Sequence, residues 1–302
     1  MDERQPRRDA GDAGTLAVFA SPAASIYHQG VDRAQLPSMI QLLDDETPAV
    51  QQRVMEALAA FGDELDAEIE RQGIELDHDR RELLADVYAL QRRERLLERW
   101  QECLAVPNEK VKLETALGLI AEYELGEGAA ARLTGLLDGL ADDYRGAHVG
   151  ADVFTLAHYL FRTRGLTGCG KKDFYTPAAS NLVSVITRGR GLPISLACVY
   201  LLVGARLGLD IEGCNVPNHF LARAVAGDRL ILVDCFNGGA TLDVAQLIPK
   251  GHDATAQLAR IRRGTPAATI MLRVAANLAI AHARAGNESD ARFFTELRDQ
   301  TA

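Results

Sequence analysis

The sequence predicts an α+β protein that is mostly α-helical. Apolar residues recur every three to four positions over most of residues 36–207 and again over 267–300, as in amphipathic helices. Between these stretches, residues 211–233 show short runs of alternating apolar and polar side chains, which are typical of strands. The chain of 302 residues is 47% apolar and 25% charged, which is ordinary globular usage and enough for about two domains.

The N-terminal third is predicted to be a flexible leader followed by a helical region. Residues 1–31 are charged and then rich in Ala, Gly and Ser, without periodicity and without the apolar stretch of a secretory signal. Residues 32–106 have helical periodicity, with Thr47 and Pro48 as the cap and first residue of one helix and a long helix over 79–104. The short helices before the long one resemble a single HEAT-type repeat.

The predicted core domain spans residues 107–252 and begins with helices. Pro107 disfavours helix at Val106, which marks the boundary. Pro193 is expected to open a further, strongly apolar helix after an extended residue. Before it, amphipathic helices are expected over 113–125, 129–144, 151–164 and 177–187, with a glycine-containing loop between the last two.

The remaining elements are three strands and a C-terminal helical pair. The strands are expected over 211–216, 220–225 and 230–233, and a turn at 226–228 joins the last two into a hairpin. Residues 253–302 are predicted to be a linker and two helices, over 267–285 and 289–300. These two helices resemble a tetratricopeptide-like hairpin.

His219 and Asp234 are the candidate catalytic pair. They lie on the two arms of the predicted hairpin, and a two-residue turn at 226–227 sets them directly opposite each other, with Cβ atoms about 4.5–5.5 Å apart. An aspartate beside a histidine fixes its tautomer and raises its basicity, which is the base and orienting half of a nucleophilic triad. A hydrogen bond between the two is therefore predicted. The alternative is a buried polar pair whose two side chains meet each other's hydrogen-bonding needs and have no catalytic role.

Three separated blocks resemble the transglutaminase-like superfamily and, within it, the bacterial SirB-one branch. They are GLPISL at 191–196, PNHFLAR at 217–223 and VDCFNGG at 233–239, and Tyr175, Pro177 and Ser180 match before them. The resemblance implies a helical shell, a small antiparallel sheet against a central helix and a papain-like Cys-His-Asp arrangement. It also implies the tetratricopeptide-like helical pair at the C-terminus, but it assigns no biochemical activity.

The sequence departs from the superfamily pattern at the nucleophile. In active members a cysteine opens the central helix, where the helix dipole favours its thiolate. The matching position here is Pro193, which has no nucleophilic side chain. Ser195 is the alternative nucleophile because it lies near the start of the helix, although its expected role is hydrogen bonding in the first turn. None of the five cysteines is spaced to reach His219, and Cys169, in the glycine-containing loop, is expected to be the most exposed.

The predicted function is a catalytically degenerate transglutaminase-like module that binds a protein or peptide ligand in the former active-site cleft. Asn218, Arg223 and Asn237 are the expected binding residues. One alternative is a hydrolase or acyl transferase that uses Ser195 with the His–Asp pair. The other is a helical adaptor whose core is only structural.

Composition argues against several other classes. The net charge of −9 and the absence of a long Lys/Arg run argue against a nucleic-acid partner. No apolar run reaches the ~18 residues of a membrane helix. The five cysteines are widely spaced and include no CxxC pair, so neither a zinc site nor another metal or cofactor is predicted. Scattered thiols without an export signal indicate a cytoplasmic protein.

Overall fold

The computed structural model describes residues 32–216, 219–226, 229–242, 244 and 254–301. These residues form a mostly helical α+β fold, as predicted. The chain divides into two compact units between Gln91 and Arg92. This division falls inside a helix, not at the break over 105–108 that the sequence suggested. The predicted leader, residues 1–31, lies outside the described residues.

The first unit is helical. It contains α1 (Leu36–Gln41), α2 (Pro48–Ala59), α3 (Leu65–Arg71) and the first half of α4 (His78–Leu104). Pro48 opens α2 as predicted, but the Thr47 side chain makes no capping hydrogen bond. Asp45 organises this turn instead, since its Oδ1 accepts from Thr47 N at 2.8 Å. Leucines from the short helices form the buried core with Val87 of α4.

The helices of the second unit surround one buried helix. After α5 (Glu109–Leu125) and α6 (Ala129–Ala147), α7 (Val153–His158) continues as a π-helical turn to Thr163. Then come α8 (Leu182–Arg188) and α9 (Pro193–Arg206). Every α9 residue from Ile194 to Gly204 is buried, which explains why its sequence is apolar on all sides. The site described below lies at the N-terminus of α9.

Two small sheets complete the core of the second unit. Strands β1 (Thr167–Gly168) and β2 (Arg190–Gly191) pair in parallel. The antiparallel sheet has the order β3 (Ile211–Val216), β4 (His219–Ala226), β5 (Arg229–Asp234) and β6 (Ala240–Leu242). Even-numbered residues of β4 and odd-numbered residues of β5 pack with α9 in the main core. The opposite face, with Leu221 and Leu232, packs against Ile261.

The register of the β4–β5 hairpin differs from the prediction. Ala226 pairs with Arg229 and Ala222 with Val233, so continuing the ladder sets Asp234 opposite Leu221. The predicted pairing of His219 with Asp234 is therefore wrong by two residues. Both registers keep the same side chains on each face, so the apolar alternation could not distinguish them.

Further helices follow the sheet. Helix α10 (Ala254–Arg263) was not predicted, whereas α11 (Ala267–Arg284) and α12 (Glu288–Thr301) match the expected helical pair. The His282 ring of α11 stacks on Phe294 of α12, with centroids 5.3 Å apart. Among the described residues, no helix is both long and apolar enough to cross a bilayer.

Candidate functional site

The N-terminus of α9 begins as the sequence predicted. Leu192 is extended, with φ −70° and ψ 161°, and Pro193 is the first helical residue. Leu192 N donates to Ala179 O at 3.1 Å, which ties the helix start to the segment before α8. Pro193 is half-buried, so solvent reaches the position at which the sequence resemblance predicts the nucleophile.

The short β1–β2 ladder joins the start of α9 to the loop after β5. Cys169 N donates to Gly191 O at 3.1 Å, and Gly168 N donates to Phe236 O at 3.2 Å. A Cβ at Gly168 would lie 2.6 Å from the Phe236 ring, so this close approach requires glycine. The segments 165–176, 188–193 and 234–239 therefore meet at one place, which we call the α9 corner.

Asp234 organises the loop of the α9 corner. Its carboxylate is buried, and Oδ1 accepts from Phe236 N and Asn237 N, both at 3.1 Å. Oδ2 accepts from Asn237 Nδ2 at 2.7 Å. Gly239 N donates to Asp234 O at 2.9 Å, which closes the turn. Asn237 was predicted to bind a ligand, but its amide group already supports Asp234.

His219 lies at the same end of the sheet but is not bonded to Asp234. It is exposed, and no hydrogen bond or ion pair links these two described side chains, which corrects the predicted bond. The shifted register is the cause: His219 is two residues from Leu221, the position opposite Asp234. Such diagonal neighbours on one sheet face have Cβ atoms up to about 7–8 Å apart. Alternation along β4 also puts His219 on the face away from α9.

All five cysteine thiols are buried and unionised at neutral pH. Burial raises the pKa of Cys198 to about 12 and the pKa of Cys103 and Cys214 to about 11. Burial also raises the pKa of Cys235, and the neighbouring Asp234 charge raises it further. Cys169 is the most exposed of the five cysteines, as expected, but only 6% of its surface is exposed. The hydrogen bond from its backbone N to Gly191 O holds it in the core, and burial raises the pKa of its thiol too.

Ser195 is enclosed in the first turn of α9. Its side chain is 0% exposed, and its Oγ has no hydrogen-bond partner among the described residues. The expected bond within the first turn is therefore absent. Ser180 Oγ and Asn181 Nδ2, on the segment bonded to Leu192, are likewise buried without partners. Asn181 Oδ1 caps α8 by accepting from Ser184 N at 3.2 Å.

Arg223 lies in an ion pair away from the helix start. Its Nε donates to Glu212 Oε2 at 2.7 Å on the outer face of the sheet. A Cβ at Gly264 would overlap the Glu212 carboxylate, so the backbone at Gly264 packs closely against this ion pair. The role of Arg223 in ligand binding stays a prediction. Asn218, the other expected binding residue, lies outside the described residues.

Six exposed basic side chains surround the α9 corner, and sequence reasoning missed them. We call them the basic cluster: Arg162, Arg164, Lys171, Lys172, Arg188 and Arg190. They fall within residues 159–191, a stretch with a single acidic residue, Asp173. The signal was present as local composition, but the total charge of −9 concealed it.

Other features of the second unit lie apart from this corner. A cavity of about 530 Å³ is lined by Tyr144, His148, Arg206 and their neighbours. It lies at the C-terminal end of α9, about 20 Å along the helix from Pro193. Within the described part of the chain, no group of three or more His, Cys, Asp or Glu side chains is arranged to hold a metal ion.

Comparisons with known proteins identify a family and several relatives. A family model described as the transglutaminase-like superfamily matches residues 130–279, which include α9 and the antiparallel sheet. The UPF0162 protein of Xylella fastidiosa (strain Temecula1) is 31% identical over 195 residues, which cover 61% of this chain and 69% of that protein. The UPF0162 protein of Pseudomonas aeruginosa is 31% identical over 121 residues, 39% of this chain and 44% of that protein.

A eukaryotic protein shares a shorter stretch. F-box only protein 21 of Mus musculus is 36% identical over 78 residues, which are 26% of this chain and 11% of that protein. No solved structure matches the chain.

Proposed function

Since the chain belongs to the transglutaminase-like superfamily, we propose that it is a catalytically degenerate member whose former active-site cleft, the α9 corner, binds a protein or peptide segment. The observation that carries this proposal is Pro193. It is the first residue of the central helix and is half-buried. The family resemblance aligns it with the cysteine of active members. Proline offers no atom that attacks a carbonyl.

No other described side chain near Pro193 replaces the missing nucleophile. Each cysteine is buried with a raised pKa, and the thiolate, not the thiol, is the nucleophilic form. Ser195 has no exposed surface, so a substrate carbonyl does not reach its Oγ unless the first turn of α9 moves. These facts support a binding role over a catalytic one.

One observation favours an enzyme as the second candidate. The Ser195 hydroxyl has no hydrogen-bond partner among the described residues, although an unpartnered buried hydroxyl typically costs about 1–3 kcal/mol. A hydrolase or acyl transferase with Ser195 as nucleophile, His219 as base and Asp234 as orienting carboxylate would account for a hydroxyl kept free. This candidate requires the α9 corner to open and His219 to turn toward α9.

We also propose a family branch, two helical-repeat resemblances and a cytoplasmic location for this protein. The occurrence of the three sequence blocks in the expected order supports the SirB-one branch, and the α11–α12 pair supports a tetratricopeptide-like C-terminus. The short helices of the first unit support a HEAT-like region. Five unpaired cysteines suit a reducing compartment such as the cytoplasm.

A peptide library displayed on phage tests the proposed function. We expect wild-type protein to enrich peptides that protect residues 165–176 and 188–193 from hydrogen exchange. We also expect mass spectrometry to recover these peptides unchanged after prolonged incubation. Cleavage or acyl transfer that disappears in both Ser195→Ala and His219→Ala supports the enzyme instead. Protection confined to other surfaces contradicts the proposed cleft.

A further inference from the structure

We propose that the α9 corner selects acidic peptide segments through the basic cluster. This inference rests on the proposed function, because it names the class of peptide that the former cleft takes. It is carried by the placement and exposure of the six cations, and by the lack of an acidic partner for five of them among the described residues.

Positive charge is concentrated at this corner against the trend of the whole chain. Residues 159–191 contain six basic and one acidic side chain, whereas the rest of the chain contains 27 basic and 41 acidic ones. All six basic side chains are exposed. At physiological ionic strength the Debye length is about 8 Å, so a ligand at the corner interacts with these local cations more than with the distant acidic surface.

Backbone pairing holds the basic cluster around the helix start. Arg190 is the ladder partner of Thr167, whose N donates to Gly189 O at 2.9 Å. The Arg162 guanidinium lies against Gly238, since a Cβ there would be 2.9 Å from its Cζ. Segments that carry these cations therefore lie close to the loop after Asp234.

Most of the basic cluster has no acidic partner among the described residues. Arg164 pairs with Asp143 at 3.1 Å. Among the described residues, the other five cations have no hydrogen bond or ion pair with an acidic side chain. Close like charges repel each other, and carboxylates of a bound ligand would relieve that repulsion.

An aromatic surface continues the basic cluster. Tyr175 is 41% exposed, and the Arg284 guanidinium lies 3.6 Å from its ring centroid. Phe174 packs against Tyr175 edge-on, with centroids 5.2 Å apart. A peptide side chain can pack on the exposed edge of Tyr175 while a neighbouring carboxylate reaches Arg284.

A short acidic peptide fits the charge pattern better than a nucleic acid does. Duplex DNA carries one negative charge per about 1.7 Å and extends beyond a compact patch, so it also meets the acidic remainder of the surface. A peptide of several residues places its carboxylates within the patch alone. A single-stranded oligonucleotide and an anionic membrane are therefore tested as competitors.

Fluorescence anisotropy of a labelled octaglutamate peptide with the full-length protein tests this inference, with labelled octaglutamine as the uncharged probe. The test variants are Lys171→Glu with Lys172→Glu, and the milder Lys171→Gln with Lys172→Gln, on an exposed loop. The matched control is Arg132→Glu with Arg292→Glu, an equal charge change at exposed positions on α6 and α12. Circular dichroism checks that each variant is folded.

We expect octaglutamate to bind and octaglutamine not to bind. The double glutamate variant should weaken binding roughly tenfold, the glutamine variant should weaken it roughly threefold, and the control should change it less than about twofold, because each exposed charge pair contributes modestly. Equal loss in the control, or no preference for octaglutamate, overturns the inference. Tighter binding of a 20-nucleotide thymidine oligonucleotide, or of phosphatidylserine vesicles, overturns it in favour of those ligands.

The two proposals can fail separately in these experiments. If octaglutamate binds at the basic cluster but an acidic peptide is cleaved by wild-type protein, the basic cluster stands and catalytic degeneracy fails. If library peptides protect the α9 corner but octaglutamate does not bind, the binding cleft stands and the acidic preference fails.

Discussion

Replacing Pro193 with cysteine tests whether the start of α9 still has the electrostatics of a nucleophile site. The substituted thiol would be the first residue of a 14-residue helix at a half-buried position. A charge at a surface helix N-terminus gains about 0.3–1 kcal/mol from the dipole, which lowers a thiol pKa by about 0.2–0.7 units from about 8.5. We therefore expect a pKa near 8 for Pro193→Cys. Losing the proline costs up to about 1 kcal/mol, so the variant should fold.

The titration reports the pKa of the new thiol alone, because the native thiols do not ionise in the same pH range. Burial raises the pKa of all five cysteines, so thiolate absorbance below pH 9 reports the new residue. Pro177→Cys is the matched control, since Pro177 is also half-buried but begins a 3-10 helix of three residues. Its thiol should titrate near 8.5.

His219 supplies a second comparison in the same titration. The pKa of the new thiol in Pro193→Cys could fall further than the helix dipole explains. If this extra lowering disappears in the double variant Pro193→Cys with His219→Ala, the imidazole reaches the helix start. A pKa for Pro193→Cys at or above that of Pro177→Cys would refute the reasoning, because the residue would then not lie at an electropositive helix start.

Three further substitutions test the packing and the charges of the two units. Gly168→Ala should lower the free energy of unfolding by about 1–3 kcal/mol in urea titrations, because its Cβ would overlap the Phe236 ring; an unchanged value would contradict the close approach. Ser195→Ala should leave that free energy unchanged or raise it by up to about 1 kcal/mol, because it removes an unpartnered hydroxyl, and a clear loss of stability would reveal a missing partner. Hydrogen bonds from Arg71 and Gln72 lower the pKa of Glu68 to about 2, so its stabilising effect is complete above about pH 4.5 and is lost as the pH falls toward 2. Glu68→Gln should therefore be less stable than wild type at pH 7 and equal to it near pH 2, and a constant difference would contradict that pKa.

The sequence predicted most helices and the helix start because local rules determine them. Pro193 and Pro48 begin helices where proline is expected at the first position. The all-round apolar character of α9 correctly indicated a buried helix. The π-helical turn at the end of α7 and the short strands β1 and β6 depend on tertiary contacts, and their sequences carried no periodic signal.

The candidate site was predicted less completely, since it depends on register and burial. A hairpin that pairs residue 225 with 228 and one that pairs 226 with 229 put the same side chains on each face of the sheet. The apolar alternation therefore could not determine the distance between His219 and Asp234. Cys169 lies among glycines, which suggested an exposed loop. Its backbone N instead donates a hydrogen bond to Gly191 O beside the β1–β2 ladder, and its side chain is part of the core. Asp234 accepts hydrogen bonds from its own loop because that loop turns sharply, and the turn is allowed by two glycines with positive φ, Gly238 and Gly239.

Intact-mass analysis of the native protein after treatment with electrophiles tests the central claim most directly. Iodoacetamide probes activated thiols and a fluorophosphonate probes an activated serine, each on wild-type protein and on His219→Ala. We predict no stoichiometric adduct on the folded protein with either reagent, because Pro193 is the residue that begins α9 and Ser195 and the cysteines are buried. A one-to-one adduct on Ser195 or on any cysteine that disappears in His219→Ala would contradict the account and identify a working active site.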